Sequence, residues 1–283
     1  MTAPGSSVPP RPPVSWADLG PRLVSAAVII VIVATGLYFG GYVWAALCAV
    51  VMALTYREWD QMVTLRTIGP LGIVLCCLLA VGALGYAAFG LAGATVPVAI
   101  AIVAAFLGDR PARWWRIVGL LFFAIVAVLV EEMRGIGGEG IIVGWYLGVV
   151  IACNDTGAYF VGRMVGGPKL APMISPAKTI SGALGGWVIG TLAGTIFWSV
   201  FTAGPWWLGL LFSALLGVAG QSGDLIESAI KRVFRIKDSS DIIPGHGGLM
   251  DRLDSVAFGA ILLVLVGILH GGWGNVPAGI LFW

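Results

Sequence analysis

The residues of this chain whose types could do chemistry crowd into one stretch: eleven of its thirty charged residues lie in the 31 positions from Asp224 to Asp254. Gln221, Asp224, Glu227 and Lys231 recur at spacings of three and four, which aligns them on one face of a helix. A loop with Lys237, Asp238 and Asp241 follows, and Pro244-Gly-His246-Gly-Gly then leads into Asp251-Arg252-Leu-Asp254, the expected start of a further helix. Asp224 and Asp251, from different helices, can converge on a hard cation, because Mg²⁺ takes one or two carboxylates together with phosphate oxygens. Lys231, Arg232, Lys237 and Arg252 suit the phosphates, the glycines permit close backbone approach to a ligand, and a helix amino terminus favours anions. His246 is as fit to orient its loop as to act in catalysis. The plain alternative is a solvated loop with surface ion pairs. Against it stands the cost of ionisable groups beside hydrocarbon, roughly 2.5–3.5 kcal/mol each at a bilayer centre.

A second constellation, Asn154-Asp155-Thr156-Gly157-Ala158-Tyr159, sits inside an apolar run. Asp155 falls about 20 Å along its helix at 1.5 Å per residue, deep enough to be a functional candidate by default. Arg163, Lys169 and the segment Ser175-Pro-Ala-Lys178-Thr179 follow, mixing hydroxyls, cations and glycines as phosphate cradles do. The Gly-x4-Gly-Lys spacing of a P-loop is absent. Asn154 and Asp155 could instead only bond neighbouring helices, and Arg163 and Lys169 could serve topology alone.

The elements that must position these groups are membrane helices. With 59% hydrophobic and only 11% charged residues, the chain lies far from soluble composition, where roughly 25% are charged. Apolar runs long enough to approach the roughly 20 residues of a bilayer crossing cover about nine spans: 23–39, 42–59, 68–89, 92–107, 117–130, 141–160, 180–201, 206–230 and 255–270. The expected fold is all-α, a polytopic transmembrane bundle. It comprises a disordered arm over 1–20, an N-terminal region of about five spans over 21–140, and a catalytic region of about four spans over 141–283. With the N-terminus cytoplasmic and the C-terminus external, every basic residue except Arg134 falls on one face, as the positive-inside rule asks of the cytoplasmic side. That places the protein in the cell (inner or plasma) membrane as a multi-pass protein, with its acidic cluster toward the cytoplasm. A formal charge of +2 speaks against a nucleic-acid partner.

The pattern Ser228-x-Ile230-Lys231-Arg232-x4-Lys237-Asp238-x-Ser240-x2-Ile243-Pro244-x-His246-Gly-Gly-Leu249-x-Asp251-Arg252-Leu253-Asp254 resembles the phosphatidate cytidylyltransferase (CDP-diacylglycerol synthase) family. So do Asp155-Thr-x-Ala158-Tyr159-x2-Gly162-Arg163, Ser175-Pro-x-Lys178-Thr179-x2-Gly182 and Gly223-Asp224-Leu-x-Glu227-Ser228. Ser181 stands where that pattern carries Glu, and Gly167 where Lys or Arg is common. The resemblance implies transfer of a cytidylyl group from CTP to phosphatidic acid in a membrane-lipid environment, by a homodimer. It implies catalysis by Asp224 and Asp251 and Mg²⁺ held by Asp224, Asp251 and Asp155, with a second cation, divalent or monovalent such as K⁺. Substrate contacts would come from Asn154, Asp155, Arg163, Ser175, Lys178, Thr179, Glu227, Lys231, Arg232, Lys237, His246 and Arg252. Two rival readings are a CTP-dependent lipid or polyprenol kinase and a transporter with intramembrane carboxylates, although no inverted repeat is evident.

Overall fold

In hydrocarbon each backbone amide must be satisfied within its own segment, so long apolar runs become helices. The computed structural model describes residues 19–108, 110–240, 242 and 247–283. The helices are α1 (Leu19–Phe39), α2 (Gly41–Thr64), α3 (Pro70–Leu107), α4 (Arg113–Arg134), α5 (Glu139–Val165), α6 (Ile180–Phe201), α7 (Trp206–Val233), α8 (Met250–Gly271) and the short α9 (Val276–Leu281). Among the described residues, α3, α5, α6, α7 and α8 are long and apolar enough to cross a membrane. Their outward faces carry exposed large apolar side chains such as Ile196, Val200 and Leu269, as lipid contact requires.

The runs expected over 68–89 and 92–107 are the two arms of α3. Gly90 breaks the helix at φ 61° and ψ −146°, a backbone region open to glycine, and the chain folds back there. A Cβ on Gly85 would lie 2.4 Å from the Gly93 carbonyl oxygen, and one on Gly108 would lie 2.4 Å from Leu71 Cδ2, which only antiparallel arms allow.

Other expectations need adjusting at their edges. The all-α reading omits an antiparallel hairpin of β1 (Lys169–Ala171) and β2 (Ser175–Thr179), with Lys169 opposite Thr179 and Ala171 opposite Ser175. Pro176 holds the residue before it in extended backbone, so this short polar segment cannot continue a helix. The last long helix begins at Met250, five residues before the apolar run, and α9 lies beyond every expected span. The disordered arm expected over 1–20 falls, up to residue 18, outside the described residues, as does His246.

The buried core forms two main clusters. One draws on α2, α3 and α4 and the other on α5 to α9, while Met250 and Ala257 of α8 pack into the first and Met133 of α4 into the second. Within the first, Arg116 Nε meets Asp60 Oδ1 at 2.7 Å, with both residues buried. Arg134, the basic residue expected apart from the others, is also buried and donates to the Leu37 and Gly137 carbonyls at 2.6 and 2.8 Å.

Candidate functional site

Glycines let the site helices approach closely. On α6, Gly186 and Gly190 face α5, where a Cβ would come within 2.4 Å of the Asn154 carbonyl oxygen and 2.9 Å of Asn154 Cβ respectively. Small residues spaced four apart are the usual means of close helix contact in membranes. Gly223 on α7 does the same toward α8, where a Cβ would lie 2.5 Å from the Asp254 carbonyl oxygen. The next residue, Asp224, is thereby brought beside Asp254.

These contacts enclose a cavity of about 730 Å³. Its walls take Asn154, Asp155 and Arg163 from α5, Lys178 and Thr179 from the end of β2, Gln221, Asp224, Glu227 and Lys231 from α7, and Asp251, Arg252, Asp254 and Ser255 from α8. Thr179 caps α6, its Oγ1 accepting from the Gly182 amide at 3.1 Å. Gln221 Nε2 donates at 2.9 Å to both Asn154 Oδ1 and the Ala183 carbonyl, pinning α7 to α5 and α6 at the cavity's inner end. Arg163 Nη1 donates to the Tyr159 hydroxyl at 2.9 Å.

The charges fall into two neighbouring sets. One carboxylate oxygen each of Asp224, Glu227 and Asp254 lies within 4.8 Å of the others, and Lys178 pairs with Asp224. Lys231 lies between Glu227, at 2.6 Å, and Asp251, at 2.7 Å, with all three largely buried. Asp251 Oδ2 also accepts from the Gly248 amide at 3.2 Å. The expected pair Asp224 and Asp251 lies on the wall of one cavity, and Asp254 joins Asp224 and Glu227 in the tightest carboxylate set among the described residues. Less than one turn of α8 separates Asp251 from Asp254, and both meet α7, Asp254 through the close approach at Gly223 and Asp251 through Lys231.

Three carboxylates suit a hard divalent ion. Glu227 Oε1, buried with no hydrogen-bond partner among the described residues, is an acceptor that such an ion would satisfy. The residues present thus fit the Mg²⁺ that the resemblance implies.

Of the expected substrate residues, Ser175, Arg232 and Lys237 do not line the cavity. Arg232 instead donates to the Ile174 and Ile236 carbonyls at 3.0 and 2.8 Å, tying the hairpin to the end of α7. The two departures from the family pattern have structural roles nearby. Gly167 has φ 101°, where a Lys or Arg would be strained. Ser181 donates to the Gly166 carbonyl and lies 3.1 Å from Thr179 Oγ1, closing the loop between α5 and α6.

Sequence reasoning took Asp254 as a helix start and did not place it among the ligands. Its spacing of three from Asp251 on one helix face was the available signal. Glu58, far away in the chain, left no such trace: buried on α2, it reaches the start of α8.

A sequence model of the cytidylyltransferase family matches residues 21–269. A Brucella suis biovar 1 (strain 1330) protein named phosphatidate cytidylyltransferase is 39% identical over 173 residues, covering 61% of this chain and 64% of that protein. Proteins of the same name from Bacillus subtilis (strain 168) and Helicobacter pylori (strain ATCC 700392 / 26695) are similar too. The first is 48% identical over 128 residues, 45% of this chain and 48% of that protein, and the second 42% over 143 residues, 50% and 51%. In each case the aligned part of the chain spans less than two thirds of the relative's length.

Proposed function

The chain belongs to the cytidylyltransferase family, and we propose that it transfers a cytidylyl group from CTP to phosphatidic acid, forming CDP-diacylglycerol and pyrophosphate. The observation that carries this reading is the meeting of Asp224, Glu227 and Asp254 with Lys178, Lys231 and Arg252 around one cavity at the ends of apolar helices. A phosphate oxygen of phosphatidate attacks the α-phosphorus of CTP in line. A new P–O bond forms as the bond to the β-phosphate oxygen breaks, and pyrophosphate leaves with that electron pair. No protein nucleophile is required, and an ionised phosphate leaves little general-base work, so positioning and electrostatic stabilisation supply most of the acceleration.

Asp224, Glu227 and Asp254 would hold Mg²⁺, with Asp155 on the adjoining wall, and the ion would supply Lewis-acid stabilisation of phosphate oxygens. A second cation, divalent or monovalent such as K⁺, would join it in the same cavity. Lys178 and Arg252 neutralise the triphosphate and lipid headgroup. Lys231 is held in place by Glu227 and Asp251, so Asp251 serves the reaction by fixing that ammonium. Asn154, oriented by Gln221, completes the polar end of the cavity. Arg163 and Thr179 border the phosphates, and Ser175, Arg232, Lys237 and His246 act on the loops around them.

In this reading the chain crosses the cell (inner or plasma) membrane nine times, counting α3 twice. The N-terminus and the site face the cytoplasm, the C-terminus is external, the region 21–140 supports the catalytic region 141–283, and the protein works as a homodimer. The test is incubation of purified protein with phosphatidic acid, Mg²⁺ and CTP labelled on the α- or the γ-phosphate. Lipid labelled from the α-position supports the reading. Label arriving from the γ-position would make the protein a lipid kinase instead, and unlabelled lipid in both arms would refute cytidylyl transfer.

A further inference from the structure

Glu58 lies near the end of α2, in the half of the chain remote from the cavity, and it is fully buried. A carboxylate sealed in an apolar interior is tolerated only with partners. The Leu249 and Met250 amides donate to its two oxygens at 2.9 and 2.8 Å. Ser239 Oγ donates at 3.2 Å, and Ser240 Oγ also donates to it. Three of the four donors belong to the segment joining α7 to α8 and the fourth, Met250, is the first residue of α8, the helix that brings Asp251 and Asp254 to the site.

The first amides of a helix lack partners inside it. At α8 the capping residue is Leu249, whose side chain cannot supply one. Glu58 fills this role across 192 positions of sequence, and its negative charge suits the positive end of the helix. The fit is close: a Cβ on Gly248 would lie 3.0 Å from Glu58 Oε2 and would collide with Ser239 Oγ. Asp251 follows Met250 directly, and Asp254 is less than one turn further on. We propose that Glu58 is a positioning residue of the site, fixing the start of α8 and with it the places of Asp251 and Asp254. Its effect on catalysis rests on the function proposed above, whereas its hold on α8 does not.

Asp60 provides the comparison, as a second buried acid two residues along the same helix, whose carboxylate pairs with Arg116 of α4. Hydrogen–deuterium exchange and Mg²⁺-dependent turnover would be measured on monodisperse full-length wild type, Glu58→Gln, Glu58→Asp and Asp60→Asn, with rates expressed per folded molecule. In Glu58→Gln the amides of residues 249–251 should exchange at least about tenfold faster. The Mg²⁺ concentration for half-maximal rate should rise about 10–100-fold, the range typical when a group supporting metal ligands is removed. Glu58→Asp should recover part of both, and Asp60→Asn should melt earlier with both unchanged. Should Glu58→Gln not fold, Gly248→Ala displaces the same cap with Glu58 intact and is expected to shift both readouts the same way.

Wild-type protection of residues 249–251 in Glu58→Gln would overturn the proposal. So would lost protection with unchanged Mg²⁺ dependence, which would leave Glu58 a matter of stability alone. If the wild type transfers no cytidylyl group, the functional reading fails, and the exchange comparison still decides whether Glu58 holds α8.

Discussion

Asp60 and Asp224 are both aspartates on apolar helices, each beside one cation, yet they sit in opposite circumstances. The Asp60 side chain is 1% exposed and closed against Arg116, which is 6% exposed. The Asp224 and Lys178 side chains keep 33% and 29% of their surface, and Asp224 shares a cavity with Glu227 and Asp254. A carboxylate sealed away with its cation is out of reach of a ligand, even though Asp60 Oδ2 has no hydrogen-bond partner among the described residues. A charge facing open volume among other carboxylates attracts a cation, and the lysines around it attract phosphate. Burial of an ion pair in a membrane protein therefore does not mark a site by itself; an unfilled set of acceptors beside a cavity does.

Several substitutions would break or sharpen this contrast. The largest effect is expected for Arg116→Met, which strands Asp60 and should cost about 3–5 kcal/mol of stability. Thermal unfolding in detergent reads the loss, and turnover per folded molecule should stay unchanged. Asp224→Asn and Asp254→Asn should behave in the opposite way, melting near the wild type while turnover falls about 10²–10³-fold, the scale for losing one group that stabilises transition-state charge. Wild-type rates from both variants would show that the carboxylate set is not the catalytic one. Gly186→Ala tests the helix approach that builds the cavity. Its new Cβ must displace the Asn154 backbone, so about 1–3 kcal/mol of stability should be lost, readable as an earlier melt. The smallest change is expected for Lys178→Ala: the CTP concentration for half-maximal rate should rise about tenfold, or about 1.4 kcal/mol, and an unchanged CTP dependence would remove Lys178 from the phosphate contacts.

Much of the fold was legible in the chain. The run 180–201 coincides with α6, and most of the other runs match helices to within a few residues at one or both ends. The reason is that a helix in lipid is a local object, closed by its own backbone bonds and measured by the length of its apolar run. The apolar run of the last span begins only at 255 because Asp251, Arg252 and Asp254 interrupt the pattern, yet those residues were legible as a helix start, and the structure adds that Glu58 caps this end from another helix. Of the site, the polar stripe of α7 and the Asn154-Asp155 pair were visible as charges and amides where hydrocarbon disfavours them. That Asp254 joins Asp224 and Glu227 was not. Choosing between Asp251 and Asp254 needs the rotation of α8 against α7, which the packing at Gly223 sets and no spacing within one helix records.

From the chain alone came the membrane character, the helices, and the kinds of group gathered near residues 154–179 and 221–254, because apolar length and helical periodicity act within a few turns. Folding in three dimensions decided which carboxylates meet, which lysine each one holds, and that a glutamate on the second helix governs the beginning of the eighth. Those outcomes depend on ångström-scale contacts between segments up to 192 positions apart, and such contacts exist only once the helices have packed.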